Sequence, residues 1–287
     1  MLKLDPTLFS ERFNQRHFLL QHTLSGHPLF QLPRLIELAR DTAKQRPWDL
    51  YYDAGVTDIG ERWGTSPCAY AVDETIERIE SAGAFIILKR AESDPAYARI
   101  LDACMSDILE VAGPALNRKM RRKEAIVFIA SPHRLTTYHI DSECNFLLQL
   151  QGSKTISVFR QDDRDVLTEE EIERFWTADT NAAVYKPHLQ NRADTIVLEP
   201  GTGLHIPVNA PHWARNGDHV SVAVSINYHS YDSERAGIYC VNYYLRRKLG
   251  LVPTPPFRHP VLDAVKRPIG AVMLRLRESY RGPVRLR

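Results

Sequence analysis

His139 and Asp141 stand two residues apart in the stretch TTYHIDSECNFLLQLQGSKTISVF, residues 136–159. On a β-strand, residues i and i+2 leave the same face. A neutral imidazole and a carboxylate on one face can share a divalent metal ion. A third donor from a neighbouring strand would complete a 2-His-1-carboxylate triad with open coordination positions. The pair alone proves little: with 11 histidines and 35 acids in 287 residues, about one His-x-acid pair arises by chance. Downstream, LEPGTGLHIPVNAPHWARNG carries His212 just past Ile206 and Pro207, at a strand mouth. There the side chain either turns inward or stays at the rim beside Trp213. The run VSVAVSINYH alternates, so Ser221, Ala223, Ser225 and Asn227 share one small, polar face, as a wet cavity wall would. Lys154 falls in an otherwise apolar hairpin after a Gly152 turn, an unfavourable place for an ammonium unless it reaches solvent or an anion.

These residues need strands to position them. From about residue 124 the chain reads as short β-rich runs: EAIVFIAS, NFLLQLQ, KTISVF, DTIVLEPG, GLHIP and VSVAVSINYHS. Gly, Pro and Asn/Asp signals separate them, which predicts an antiparallel sandwich or barrel. Leu198 through Ile206 reads as a β-turn-β unit bent at Glu-Pro-Gly. One helical insert, TEEEIERFW, interrupts the strands with Thr168 as its cap. The flanks read as helical. LPRLIELARDTAKQ, DETIERIES (capped by Asp73) and DPAYARILDACMSDILEVAG precede the β region, with one or two strands, among them GAFIILKR, residues 83–90. SERAGIYCVNYYLRRKLG follows it and ends at Gly250, a favoured C-terminal position. After a Pro-rich joint, VLDAVKRPIGAVMLRLRESYRG places Ile269, Val272, Leu276 and Tyr280 in a narrow apolar stripe, with Pro268 expected to interrupt or start a helix. The stripe reads as intramolecular packing or, more sharply, as a homodimer contact. The expected organisation is a helical region over 1–122 packing on the barrel, a β core over 123–232, and a basic helical segment over 233–287 that serves dimerisation or a substrate cleft.

Bulk properties bound the answer. Hydrophobic residues make up 44% and charged residues 25%, an ordinary globular composition. No apolar run approaches a membrane span, and the first residues carry acids without an apolar block, so no targeting segment and a cytoplasmic location are expected. Four scattered cysteines without a C-x-x-C pair suggest reduced thiols rather than a disulfide scaffold or zinc module. Arg246–Arg287 carries eleven Lys/Arg against two acids, +9, leaving −7 for the rest. That basic segment can dock on the acidic body of its own chain, or less readily meet nucleic acid.

Taken together, residues 136–159 and 197–228 resemble the JmjC class of iron(II)- and 2-oxoglutarate-dependent oxygenases. Within it they resemble most the branch of the hypoxia-factor asparaginyl hydroxylase and its bacterial cupin-like relatives. The shared pattern is Thr136, His139-x-Asp141, Asn145, a Gly turn with Lys154, then Glu-Pro-Gly, Ile-Pro, His212 and a last-strand Asn227. The resemblance implies a mainly β fold, a double-stranded β-helix (jelly roll) with helical flanks. It implies iron(II) held by His139, Asp141 and His212. It implies 2-oxoglutarate held by Lys154 and Thr136 at its distal carboxylate, by Asn145 and Asn227 near its C1 carboxylate, and against Phe128. The implied reaction uses O2 and couples decarboxylation of 2-oxoglutarate, to succinate and CO2, to hydroxylation of a substrate C–H bond. On an N-methyl group the same chemistry would give demethylation. Tyr138, Trp213, His133, Arg134 and Arg215 flank the ligands and are expected to face substrate. A protein or peptide side chain is the first substrate expectation, a small metabolite the second and RNA the third. Two other readings stand beside it: a different metal cupin, which would usually show H-x-H and a Glu, and a non-catalytic binding module on the same scaffold.

Overall fold

The computed structural model describes residues 1–55, 58–62, 68, 70–114, 116, 120, 122–229 and 233–281. The chain opens with strand β1 (Leu2–Lys3), helix α1 (Pro6–Arg12), β2 (Phe18–His22), α2 (Leu32–Gln45) and β3 (Leu50–Ala54). Next come α3 (Val72–Glu77), β4 (Ala84–Leu88) and α4 (Pro95–Ala112). The β region holds β5 (Arg122–Ala130), β6 (Leu135–His139), β7 (Cys144–Gln151), β8 (Lys154–Val158), α5 (Glu169–Thr177), β9 (Asp194–Leu198), β10 (Thr202–Ile206), β11 (His212–Asn216) and β12 (Ser221–His229). The chain closes with α6 (Ser233–Leu249) and α7 (Pro260–Arg281).

Among the described residues the strands form two antiparallel sheets. The larger has eight strands in the order β1-β2-β10-β7-β12-β5-β4-β3, and the smaller has four, β6-β11-β8-β9. From β5 onward successive strands change sheets repeatedly, the pattern of a double-stranded β-helix. The Gly152 turn is therefore a corner between sheets rather than a hairpin, because β7 pairs with β10 and β12 while β8 pairs with β11 and β9. Gly152 has φ +65°, and a Cβ there would lie 2.4 Å from the Val220 carbonyl oxygen, so only glycine fits. The Glu-Pro-Gly bend is likewise a corner and not the β-turn-β unit expected, since β9 and β10 lie in different sheets.

Alternation decides what each sheet face does. On β12, Val222, Val224 and Ile226 point outward and join Phe146 and Leu148 in a core with the helical flank, including Leu35, Leu38, Ile100 and Ile108. Fully burying each such aliphatic side chain stabilises by about 1.5–3 kcal/mol. Ala223 points the other way, into a smaller core between the sheets with Leu147, Ile156, Leu198, Leu204 and Ala214. The inter-sheet core fills one end of the barrel and leaves the other end hollow.

Several local expectations are corrected. The N-terminal region carries four strands rather than the one or two expected: β1 and β2 extend one edge of the large sheet and β3 and β4 the other. Ala71, not Asp73, occupies the N-cap of α3, and Asp73 instead binds Arg40 at 2.9 Å. Helix α7 runs straight through Pro268. Proline there forfeits only the hydrogen bond to the Ala264 carbonyl, and packing against α6 holds the rest. That packing is close: a Cβ on Gly270 would lie 1.9 Å from the Gly237 carbonyl oxygen. The apolar stripe is not covered by its own chain, since Ile269, Val272 and Leu276 are 48%, 55% and 57% exposed. The side chain of Tyr280 and residues 282–287 lie outside the described residues. Part of the basic segment does dock on the acidic body, through Arg246 to the buried Glu173 of α5 at 2.8 and 3.1 Å. The four cysteines are thiols, not disulfides. No helix among the described residues is long and apolar enough to cross a membrane.

Candidate metal and oxoacid site

The hollow end of the barrel is a cavity of about 320 Å³ lined by residues from both sheets. His139 ends β6 and His212 begins β11, and the two stand directly opposite each other in the antiparallel pair. Their rings lie 4.2 Å apart at 54°. Asp141 reaches in from the loop after β6 rather than from the strand itself, so the strand-face argument for the pair holds only up to His139. Its carboxylate lies 3.9 Å from His139 Nε2 and 3.7 Å from His212 Nε2. All three donor atoms fall within 4.8 Å of one another.

Backbone carbonyls orient both imidazoles. His139 Nδ1 sits 2.7 Å from the Thr137 carbonyl oxygen and His212 Nδ1 2.9 Å from that of Ala210. Each carbonyl accepts the Nδ1–H, which leaves the Nε2 lone pair aimed at the shared point. Burial, and then the neighbouring His139, lower the His212 pKa to about 3, so the ring is neutral as a ligand must be. Two neutral imidazoles and one carboxylate converging on a point suit a divalent first-row metal.

A register shift between β6 and β11 explains the spacing of Thr136 and His139. His212 opposes His139, but Ala214 opposes Thr136, so a bulge brings residues i and i+3 onto the cavity side. Thr136, Asn145, Lys154, Asn227 and Phe128 all line the cavity. Asn145 and Asn227 face each other across β7 and β12. The buried Ser225 hydroxyl ties both carboxamides, 2.7 Å from Asn145 Oδ1 and 2.5 Å from Asn227 Oδ1. Lys154 is 6% exposed, and among the described residues no acid or carbonyl partners its ammonium. Burial alone lowers its pKa to about 8, with no carboxylate opposing. A buried, charged, unpartnered lysine facing a cavity is costly unless an anion completes it.

The five residues expected to face substrate lie outside this cavity. Tyr138 packs against Phe159 and Tyr185 and lines a smaller adjoining cavity that shares His139 and Thr180 with the main one. Trp213 is on the outer face of β11, donating from Nε1 to Gln190 Oε1 at 3.0 Å. His133 is an exposed loop residue 3.6 Å from Asp218. Arg134 is buried in an ion pair with Asp53 at 2.6 Å, and Arg215 is exposed on the small sheet. Strand parity turns Tyr138, Trp213 and Arg215 to the face opposite their ligand neighbours, and His133 and Arg134 precede β6. The cavity wall is built instead by Tyr51 of β3, by Phe85, Ile87 and Lys89 at β4, and by Glu143 and Phe175. The alternation of Phe85, Ile87 and Lys89 within residues 83–90 was a readable signal for the β4 wall. Tyr51 and Phe175 had none, since the pairing of β3 with β4 and the docking of α5 decide their place.

The family model of the JmjC domain matches residues 114–235. Among solved structures, that of Escherichia coli YcfD is 15% identical and aligns over 96% of this chain and 68% of its own, with a TM-score of 0.53. A second structure, of the same organism's YcfD described as a ribosomal oxygenase, is 15% identical over 96% and 67% with a TM-score of 0.53. A third, of YcfD with cobalt and 2-oxoglutarate, is 16% identical over the same shares with a TM-score of 0.53. At such identity the likeness is one of fold, and these structures are of a ribosomal oxygenase rather than of the asparaginyl hydroxylase branch. No curated protein sequence matches the chain. The stretch that matches the JmjC domain holds the described strands β5–β12, whose sheet order is that of a double-stranded β-helix.

Proposed function

We propose that the protein is an iron(II)- and 2-oxoglutarate-dependent oxygenase that hydroxylates a C–H bond on a protein or peptide side chain. The observation that carries this reading is the unpartnered Lys154 ammonium sharing one cavity with the three-donor cluster of His139, Asp141 and His212. When bound, iron(II) with O2 and 2-oxoglutarate supplies the oxidising chemistry and releases succinate and CO2. The protein's own residues do the rest. His139, Asp141 and His212 would hold the metal on one side and leave the other side open to co-substrate and O2. Lys154, assisted by the Thr136 hydroxyl, would anchor the distal carboxylate of 2-oxoglutarate through a charge-assisted hydrogen bond. Asn145 and Asn227, held by Ser225, would direct polar atoms at its C1 carboxylate. Phe128 and its stacked neighbour Phe85, 6.0 Å apart, would keep the site dry. An intact carboxylate ligand at Asp141 favours hydroxylation over halide transfer.

The ribosomal role described for YcfD supports a protein substrate for this chain as well. Four cysteines held as thiols suit a reducing, cytoplasmic setting. The uncovered stripe on α7 supports a homodimer: Val261, Val265, Ile269, Val272 and Leu276 are 69%, 56%, 48%, 55% and 57% exposed along one helix. Ile269→Asp should then shift the sedimentation coefficient to that of a monomer. The enzymatic reading is tested by succinate release from 2-oxoglutarate with added iron(II), alone and with peptides. Wild-type protein that binds neither metal nor 2-oxoglutarate would sink it.

A further inference from the structure

Lys154 is not the only ammonium in the cavity. Lys89, just beyond β4, lines the same space from the large sheet, next to an apolar strip of Phe85, Ile87 and Phe128. Among the described residues no carboxylate forms an ion pair with it. Burial lowers its pKa, while Glu124, Glu143, Asp141 and Asp49 pull the other way from longer range. Each of these acids already has a nearer partner. Asp49 is held by Arg90 at 2.5 and 2.8 Å and by Arg46 at 3.2 Å. Glu124 accepts from the Arg90 backbone N–H at 3.3 Å and faces Arg122 at 3.7 Å. Glu143 faces His229 at 3.6 Å, and Asp141 belongs to the three-donor cluster. Lys89 is thus a cation on this wall with no carboxylate within ion-pair distance among the described residues.

Its backbone is also pinned. The Lys89 N–H donates to the Asp49 carbonyl at 2.8 Å, so β3 and β4 hold the side chain's base in place. A half-buried cation on a fixed strand end, above an apolar strip, is a receptor for a group with a hydrocarbon stem and an anionic head.

We propose that Lys89 selects the substrate of this cavity, and that the molecule oxidised carries a carboxylate placed against it. The inference rests on the oxygenase reading, because it assigns Lys154 to the co-substrate and so leaves Lys89 for the substrate. An acidic peptide side chain and a small organic acid share the chemistry.

The test is calorimetry on protein loaded with manganese(II) and saturating 2-oxoglutarate, so that no turnover occurs. Capped aspartate and capped glutamate represent peptide side chains. N-acetyl-leucine, with a free α-carboxylate, represents a small acid. Capped asparagine, glutamine and lysine are the controls. Carboxylate probes should bind about tenfold tighter than their carboxamide isosteres, the worth of one charge-assisted hydrogen bond. Lys89→Gln should erase that preference, and Lys89→Glu should turn it toward capped lysine. Whichever acid class binds names the source. Equal binding of acid and amide, no binding of any acid, or a preference that survives Lys89→Gln overturns the proposal. If the wild-type protein fails to take up 2-oxoglutarate in the loading step, the oxygenase reading falls instead.

Discussion

Two buried histidines seven residues apart serve two different regions of the molecule. His205 on β10 lies in the aromatic layer between the large sheet and the N-terminal flank, against Phe13, Phe18 and Phe146. His212 on β11 lies in the cavity. Both are buried, both place Nδ1 against a backbone carbonyl, of Asn145 and of Ala210, and burial lowers both pKa values to about 3. The difference is the second nitrogen. His205 Nε2 accepts from the Asn14 backbone N–H at 3.0 Å, so the fold uses both ring nitrogens. His212 Nε2 faces Asp141 and His139 instead. Neither burial nor titration separates a structural imidazole from a ligand; the partner of its last lone pair does.

Breaking the ligand should have the largest effect. His212→Ala removes one of three donors, beyond what outer-sphere substitutions remove, so metal affinity should fall by more than about 100-fold. Metal-dependent turnover should vanish while the far-ultraviolet spectrum stays that of the wild type. Manganese binding followed by electron paramagnetic resonance checks this, and a variant that still binds and turns over would exclude His212 as a ligand. The same truncation at His205 should do the reverse. His205→Ala leaves a cavity among three phenylalanines and strands the Asn14 N–H, a loss of about 3 kcal/mol in denaturant unfolding. Its metal affinity should stay close to that of the wild type. Equal damage to both properties by both variants would collapse the distinction.

Lys154 sharpens the comparison with a residue whose partner is missing from the protein. Lys154→Met keeps the length of the side chain and removes a buried, unpaired charge. Affinity for 2-oxoglutarate should fall by at least about thirty-fold, near 2 kcal/mol, and the protein without co-substrate should become more stable. Opposite signs of the two changes are the signature of a group retained for a ligand. Loss of stability in this variant would point to a structural role.

Much of this was legible along the chain because its signals are local. Strand alternation exposed the small polar face of β12, and the caps at Asp94, Thr168 and Gly250 mark real helix ends. The donor set could be named from motif spacing. What could not be read depends on pairing between distant segments. The bulge that lets Thr136 and His139 share a face exists only through the β6–β11 register. The corners at Gly152 and Glu-Pro-Gly read as hairpins because nothing near them says which sheet the next strand joins. Tyr51 joins the wall only because β3 pairs with β4 at the sheet edge across an intervening segment that includes α3, and nothing in its own sequence ties it to the site. The ion pair of Arg134 was unreadable for the same reason, since its counter-ion Asp53 lies 81 residues away.

The smallest predicted effect returns to the two histidines. Unfolded, each imidazole titrates near 6.5, whereas folded His205 stays neutral to about pH 3. Below pH 6.5 the unfolded chain therefore binds a proton that the folded chain refuses. Stability is full above that pH and drains as the pH falls toward the folded value. Between pH 6.5 and 5.5 the share due to His205 is about 1 kcal/mol. His205→Gln should flatten the pH dependence of unfolding by that amount, whether or not metal is present. His212 should behave differently. Without metal it adds a similar slope; a bound divalent ion cannot flatten that limb, because folded His212 is already unprotonated there, but it should raise the unfolding midpoint in the wild type and not in His212→Ala. Urea midpoints measured across this range, with and without manganese(II), separate the two contributions. A metal effect that persists in His212→Ala, or a slope untouched by His205→Gln, would mean that the last lone pair is not what distinguishes these two rings.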